Sequence, residues 1–146
     1  VSDGNGGTST ATVNLTVIIP VRWSPDRTDI DERLAYVLHD DQRPAGVHIL
    51  VIDDGSPHHL AARLQSACAE LGFGYHRIDS ETSTFSIGRA RNVGTQVART
   101  RFVMFQDADL LPYPGFYREV TNEIVVQGPL ATTSALWRRI SGLGAR

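Results

Sequence analysis

The sequence predicts an α/β protein, a mostly parallel β-sheet with helices on its faces. Three observations carry this. Short apolar runs rich in β-branched residues recur along the chain. Between them lie segments whose apolar residues return every three to four positions, the period of an amphipathic helix. Each run then closes on Pro, Gly or Asp, where a strand hands over to a turn. Strands that alternate with helices must pair in parallel through right-handed crossovers. A chain of 146 residues suits one such domain with a core of its own.

Each element follows from its residues. Leu15 to Pro20 is a continuous apolar run, read as a buried strand. Ile30, Leu34, Val37 and Leu38 fall at helical spacing and predict a helix over Asp29 to Asp41. Val47 to Ile52 is a second buried strand, ending in Asp53-Asp54-Gly55-Ser56-Pro57. There Ser56 can cap a helix and Pro57 suits its first turn. Leu60, Leu64, Cys68 and Leu71 mark that helix's buried stripe, and Gly72 and Gly74 end it. A weaker strand is expected at Tyr75 to Ile78. Ser86 can cap a third helix, with Ile87, Ala90, Gly94, Val97 and Ala98 on its inner face. Arg101 to Gln106 is the fourth strand, and Pro114 opens a last helix that turns Phe116, Val120 and Ile124 inward before Gly128-Pro129 stops it. Residues 1–14 read as a flexible leader or linker, 15–128 as the folded domain, and 129–146 as a tail that begins an acceptor-binding part.

With the common strand order 3-2-1-4 this is a Rossmann-like sheet that reverses direction between strands 1 and 4. The crevice at that switch point is where such sheets bind nucleotides. Pro20-Val21-Arg22 and Asp107-Ala108-Asp109 end those two strands, so both loops should face it.

Composition removes whole chemistries. All 14 basic residues are arginine. Without lysine there is no Walker-type phosphate loop and no pyridoxal Schiff base. Sixteen acidic residues bring the net charge to -2, which argues against a nucleic-acid partner. The one cysteine, Cys68, excludes an intramolecular disulfide or multi-cysteine zinc site and suits a reducing cytosol. No apolar run nears the roughly 20 residues of a membrane span, and no signal peptide is evident.

The acidic clusters admit three readings. A phosphorelay receiver requires a lysine on the far strand and its acidic pair on the first strand, and both are missing. A dinucleotide-binding dehydrogenase requires a glycine-rich turn after the first strand, where this chain has Pro20-Val21-Arg22-Trp23-Ser24-Pro25. In the third reading, Asp107 and Asp109, two apart on an extended segment, point the same way and share one hard cation. Carboxylates cluster at low cost only with positive charge between them, and oxygen-only ligands favour Mn²⁺ or Mg²⁺ over zinc.

Four segments in order carry that third reading further. They are Val17-Ile18-Ile19-Pro20-Val21-Arg22, Val51-Ile52-Asp53-Asp54-Gly55-Ser56, Gly88-Arg89-Ala90-Arg91-Asn92-Val93-Gly94 and Phe105-Gln106-Asp107-Ala108-Asp109. Together they resemble the nucleotide-sugar-binding half of a family-2 glycosyltransferase of the GT-A type. Phe85-Ser86 and Leu110-Leu111-Pro112 are similar to the bacterial branch that builds surface and capsular polysaccharides.

The resemblance implies transfer of a sugar, with inversion, from a UDP-sugar to a saccharide acceptor. In its terms Asp54 hydrogen-bonds the nucleobase, with Pro20 and Arg22 lining the same pocket; Asp107 meets the ribose, and Asp109, with Asp107 beside it, holds the metal. The metal bridges the diphosphate and stabilises charge growing on the leaving group. A cytoplasmic place, or one at the inner face of the membrane through other parts of the protein, is implied as well. Arg89 and Arg91 either contact base or diphosphate, where arginine gives bidentate recognition, or form ion pairs that hold Asp53 or Asp107. Asn92 and Gly94 read as packing the helix against the sheet, Cys68 as core. Trp23 reads as packing before ligand stacking, and the five histidines lack metal-ligand spacing. The general base that transfer needs has no match after Asp109, where the only acids are Glu119 and Glu123. Catalytic domains of this family run to roughly 200–250 residues, so the chain reads as part of an enzyme that alone binds donor better than it transfers sugar. The competing class is a non-catalytic nucleotide-sugar-binding or interaction module.

Overall fold

The structure, a computed structural model, describes residues 13–24, 31, 32, 34, 35, 43–79, 84–110 and 112–127. Its elements in chain order are β1 (Leu15–Val21), β2 (Val47–Asp53), α1 (His58–Glu70), β3 (Gly74–Arg77), α2 (Ile87–Val97), β4 (Phe102–Phe105) and α3 (Phe116–Gln127). Asp31, Glu32, Leu34 and Ala35 are helical, inside the helix expected over Asp29 to Asp41. The rest of that helix, the expected leader up to Thr12 and the tail lie outside the described residues.

The four strands form one all-parallel sheet in the order β3-β2-β1-β4, the expected Rossmann-like topology. The period-2 alternation of β1 and β2 sorts their side chains to two cores. Val17, Ile19 and Val21 of β1 and Ile49 and Val51 of β2 face one side. They pack there with Leu34, with Leu64 and Cys68 of α1, and with Tyr117, Val120 and Ile124 of α3. Ile18, Leu50 and Ile52 face the other side, against Ala90 of α2. Both faces are covered, which is why β1 is buried at every position.

Gly94 sets the approach of α2 to the sheet. A Cβ there would lie 2.5 Å from Ile18 Cγ2 and 3.1 Å from Ile52 Cγ1, so only glycine lets the helix sit this close. Asn92, expected to share that contact, is exposed instead. Ile87, the first residue of α2, is likewise 40% exposed rather than inward.

Two expected caps part ways. Ser86 caps α2, its Oγ accepting from Arg89 N at 3.3 Å. Ser56 does not cap α1: Pro57 holds the N-cap position without a side-chain bond. The left-handed turn at Gly55 (φ 82°) precedes Ser56, which is buried and takes the Trp23 N–H at 2.7 Å. The start of α3 also moves. Pro114 and Gly115, at φ 84°, form a turn closed by Phe116 N to Tyr113 O at 3.0 Å, and the helix begins at Phe116.

Candidate functional site

β1 and β4 pair only from Leu15↔Phe102 to Ile18↔Phe105, and β1 runs on to Val21. Ile18 O accepts from Gln106 N, so even-numbered residues of β1 turn their backbone toward β4. Pro20 therefore faces β4's side just past the last paired residue, where no ladder donor is needed and proline fits. It is buried within β1, in register with Ile52. Beyond this point the two strands part, and the loops after β1, β2 and β4 meet at the carboxyl edge of the sheet.

Asp53 and Asp54 end β2 differently. Asp53 is structural: its Oδ1 accepts from Ser56 N at 2.8 Å and its Oδ2 from Tyr75 Oη at 2.7 Å, which fixes the turn that follows. Burial, then the bond to Asp53, raises the Tyr75 hydroxyl well above its ordinary range. Arg77 Nη2 steadies the same turn through Ser56 O at 3.1 Å. Sequence reasoning missed this support, although an alternating Tyr-x-Arg on the next strand places both side chains on one face.

Asp54 is fully buried. Its Oδ1 accepts from Arg89 Nε at 2.7 Å, and its Oδ2 from Arg89 Nη2 at 2.9 Å and Ser86 N at 2.7 Å. The Asp54 carboxylate is thus taken up by Arg89, whose own side chain is one-third exposed. Arg22 Nη1 adds a bond to Asp54 O at 3.2 Å, which draws the β1 and β2 loops together.

Arg91 goes to the other loop. Its Nη2 lies 3.1 Å from Asp107 Oδ1, and its guanidinium stands 5.4 Å over the Phe105 ring. Both partners are about 40% exposed, so solvent weakens the pair. Two arginines on one helix, spaced so that they face different ways, each pair with an aspartate at a different strand end. Of the alternatives for Arg91, the ion pair holding Asp107 is the one present.

Asp107 and Asp109 do not stand on an extended segment, as expected, but in a turn closed by Leu110 N to Asp107 O at 3.1 Å. The turn arises because β4 ends at Phe105 while Gln106 still bonds to β1. Asp109 is exposed, and Asp107 gives Arg91 one of its two oxygens. Among the described residues no group of three or more His, Cys, Asp or Glu could hold a metal. Two carboxylates would need further oxygens, from phosphate or water, to complete the shell of a hard cation.

The remaining candidates fall in the core. Trp23 is buried, with the Arg63 guanidinium 5.0 Å over its ring, which is the packing role expected. Cys68 is buried, and its thiol is pushed up to about 11 by that burial and then by Asp53. No helix among the described residues is long and apolar enough to cross a membrane.

The sequence profile described as glycosyltransferase like family 2 matches residues 16–123. No curated protein matches the chain. Among solved structures, S. aureus TarS 1–349 superposes with a TM-score of 0.61 at 22% identity, over 77% of this chain and 32% of that one. The same protein in complex with UDP-GlcNAc gives 0.61 at 23% identity, over 77% and 31%, and in complex with UDP 0.61 at 23%, over 77% and 32%. The likeness is one of fold, and the chain spans about a third of the length of those TarS chains.

Proposed function

The chain belongs to the glycosyltransferase-like family 2, and from that premise we propose that it binds the UDP-sugar donor of a metal-assisted, inverting glycosyltransferase in polysaccharide biosynthesis. The observation that carries the reading is α2, whose Arg89 and Arg91 pair with Asp54 and Asp107 across the carboxyl edge of the sheet. Arg89, gripped by Asp54, presents a fixed fork to the base or diphosphate, and Arg22 and Pro20 close the β1 side of the pocket. Asp107 meets the ribose, and Asp109 with the second oxygen of Asp107 holds Mn²⁺ or Mg²⁺.

Charge supports the metal. Arg22, Arg89 and Arg91 match Asp54, Asp107 and Asp109 in number, so these six residues leave no surplus positive charge for a diphosphate. A divalent cation held there would supply positive charge to the diphosphate as the sugar–phosphate bond breaks. The TarS complex with UDP-GlcNAc supports a UDP-sugar for the same fold. The acceptor is a saccharide, and the base that deprotonates its hydroxyl has no candidate at this edge among the described residues. Glu119 is held by Tyr113 Oη at 2.5 Å.

Release of UDP from UDP-sugars in the presence of saccharide acceptors tests the enzyme reading, on this chain and on a polypeptide in which an acceptor-binding half follows it. Binding without turnover by this chain, and turnover by the longer one, is expected. Binding without turnover by both would favour a non-catalytic nucleotide-sugar module.

A further inference from the structure

A buried polar pair stands directly beneath the acidic turn. Gln106 is 6% exposed and Tyr117, in the first turn of α3, is wholly buried. Tyr117 Oη donates to Gln106 Oε1 at 2.8 Å, and Gln106 Nε2 donates to Leu110 O at 3.1 Å. The backbone of the same glutamine donates to Ile18 O at 3.0 Å. One residue therefore ties the entry of the turn to the central strand and its exit to its own side chain. The residues between, Asp107 to Asp109, arch over this closed ring.

The geometry points to Tyr117 as the positioning residue of that turn. A primary amide donates through nitrogen and accepts through oxygen, so only one orientation of Gln106 serves both partners. The Leu110 carbonyl, which can only accept, selects it, and the Tyr117 hydroxyl donates to the oxygen so turned and anchors it to the core. Tyr117 is itself immobile: it packs in the larger core, with the Phe116 ring edge-on at 5.3 Å. The clamp hands the rigidity of the core to two carboxylates that are otherwise half-exposed or exposed. Preorganised ligands lose less freedom when a cation binds. Tyr117 touches no ligand and acts on the turn through Gln106. This inference rests on the proposed metal role of Asp107 and Asp109.

Tyr117→Phe removes one oxygen and keeps the ring. Calorimetry of UDP binding with Mn²⁺ and with EDTA, joined to amide hydrogen exchange over residues 107–110 in the free protein, tests the clamp. The variant should exchange faster at those amides and lose roughly tenfold of the Mn²⁺-dependent gain in affinity, with EDTA affinity within about twofold of the parent. Gln106→Leu should behave alike, and the double variant should lose little more than either single one, as members of one network do. Parallel loss of affinity with and without metal would mean a merely structural role and overturn the proposal, as would a retained metal gain or unchanged exchange. If the parent protein shows no Mn²⁺ gain, the metal reading fails by that result, and the functional half of this inference fails with it. Hydrogen exchange then still decides the clamp, unchanged rates overturning it and faster rates upholding it.

Discussion

Arg89 grips the buried carboxylate of Asp54 with two parallel hydrogen bonds, Nε to Oδ1 at 2.7 Å and Nη2 to Oδ2 at 2.9 Å. A charge with no exposure to water must be paired, and the fork does this while leaving the outer part of the guanidinium at the sheet edge. The pair joins the first turn of α2 to the end of β2.

Arg89→Lys therefore separates shape from charge. Lysine keeps the cation but cannot span both oxygens. UDP affinity should fall roughly tenfold with the Mn²⁺ dependence intact. Titration calorimetry checks this, and parent-like affinity would show that the fork does not form the pocket.

Gly94→Ala should destabilise the fold by about 1–3 kcal/mol, the usual cost of overpacking. The added methyl meets Ile18 Cγ2 at 2.5 Å, inside any real contact, and both Ile18 and Ile52 are themselves fully enclosed. The gain in helix propensity, about 1 kcal/mol, does not offset this. Urea denaturation measures the difference, and a stabilised variant would mean that α2 can move off the sheet.

Alkaline pH should unfold the protein earlier than its arginines would. Cys68 rises from an ordinary 9.0 to about 11 through burial and then Asp53, and Tyr75 is raised by burial and then its bond to Asp53. Folded-state values above the unfolded ones mean that the folded chain holds protons the unfolded chain releases. Their contribution is complete below pH 9 and is lost as pH rises, between about 9 and 11 for Cys68 and from about 10 upward for Tyr75. Stability by urea titration should decline there at up to about 1.4 kcal/mol per pH unit for each proton. Cys68→Ala should flatten the first part of the decline and Tyr75→Phe the second; a parent curve flat to about pH 11 would contradict the assignment.

The fold was legible because its signals are periodic. β1 and β2 declare themselves as continuous apolar runs, and strand alternation with helices leaves parallel pairing as the only economical topology. The aspartates that end β2 and follow β4 were legible as a candidate group, with the arginines of α2, because they stand just past the apolar runs. What stayed hidden depends on side chains meeting across long separations. Tyr-x-Arg on β3 shows that Tyr75 and Arg77 share a face, but not that Tyr75 meets Asp53, and no neighbour of Tyr117 shows that it meets Gln106. The cover over Asp54 was hidden for the same reason: sequence shows an aspartate and an arginine 35 residues apart, not the bidentate bond between them. The turn at Asp107 to Asp109 was hidden too: the expected strand runs on to Gln106, whereas β4 stops at Phe105 and the chain turns just beyond it.

A nucleoside diphosphate and a divalent cation should bind together at the edge that α2 spans. Two protein carboxylates alone make a poor cage, so Mn²⁺ should bind weakly without nucleotide. Calorimetry of UDP into the protein with and without Mn²⁺, repeated on Asp109→Ala, tests this most directly. Tight binding is predicted only with Mn²⁺, and the metal-dependent gain should vanish in the variant, whose stability stays within about 0.5 kcal/mol of the parent because Asp109 is exposed. Absent binding, or binding equal with and without metal and unchanged in Asp109→Ala, would contradict it.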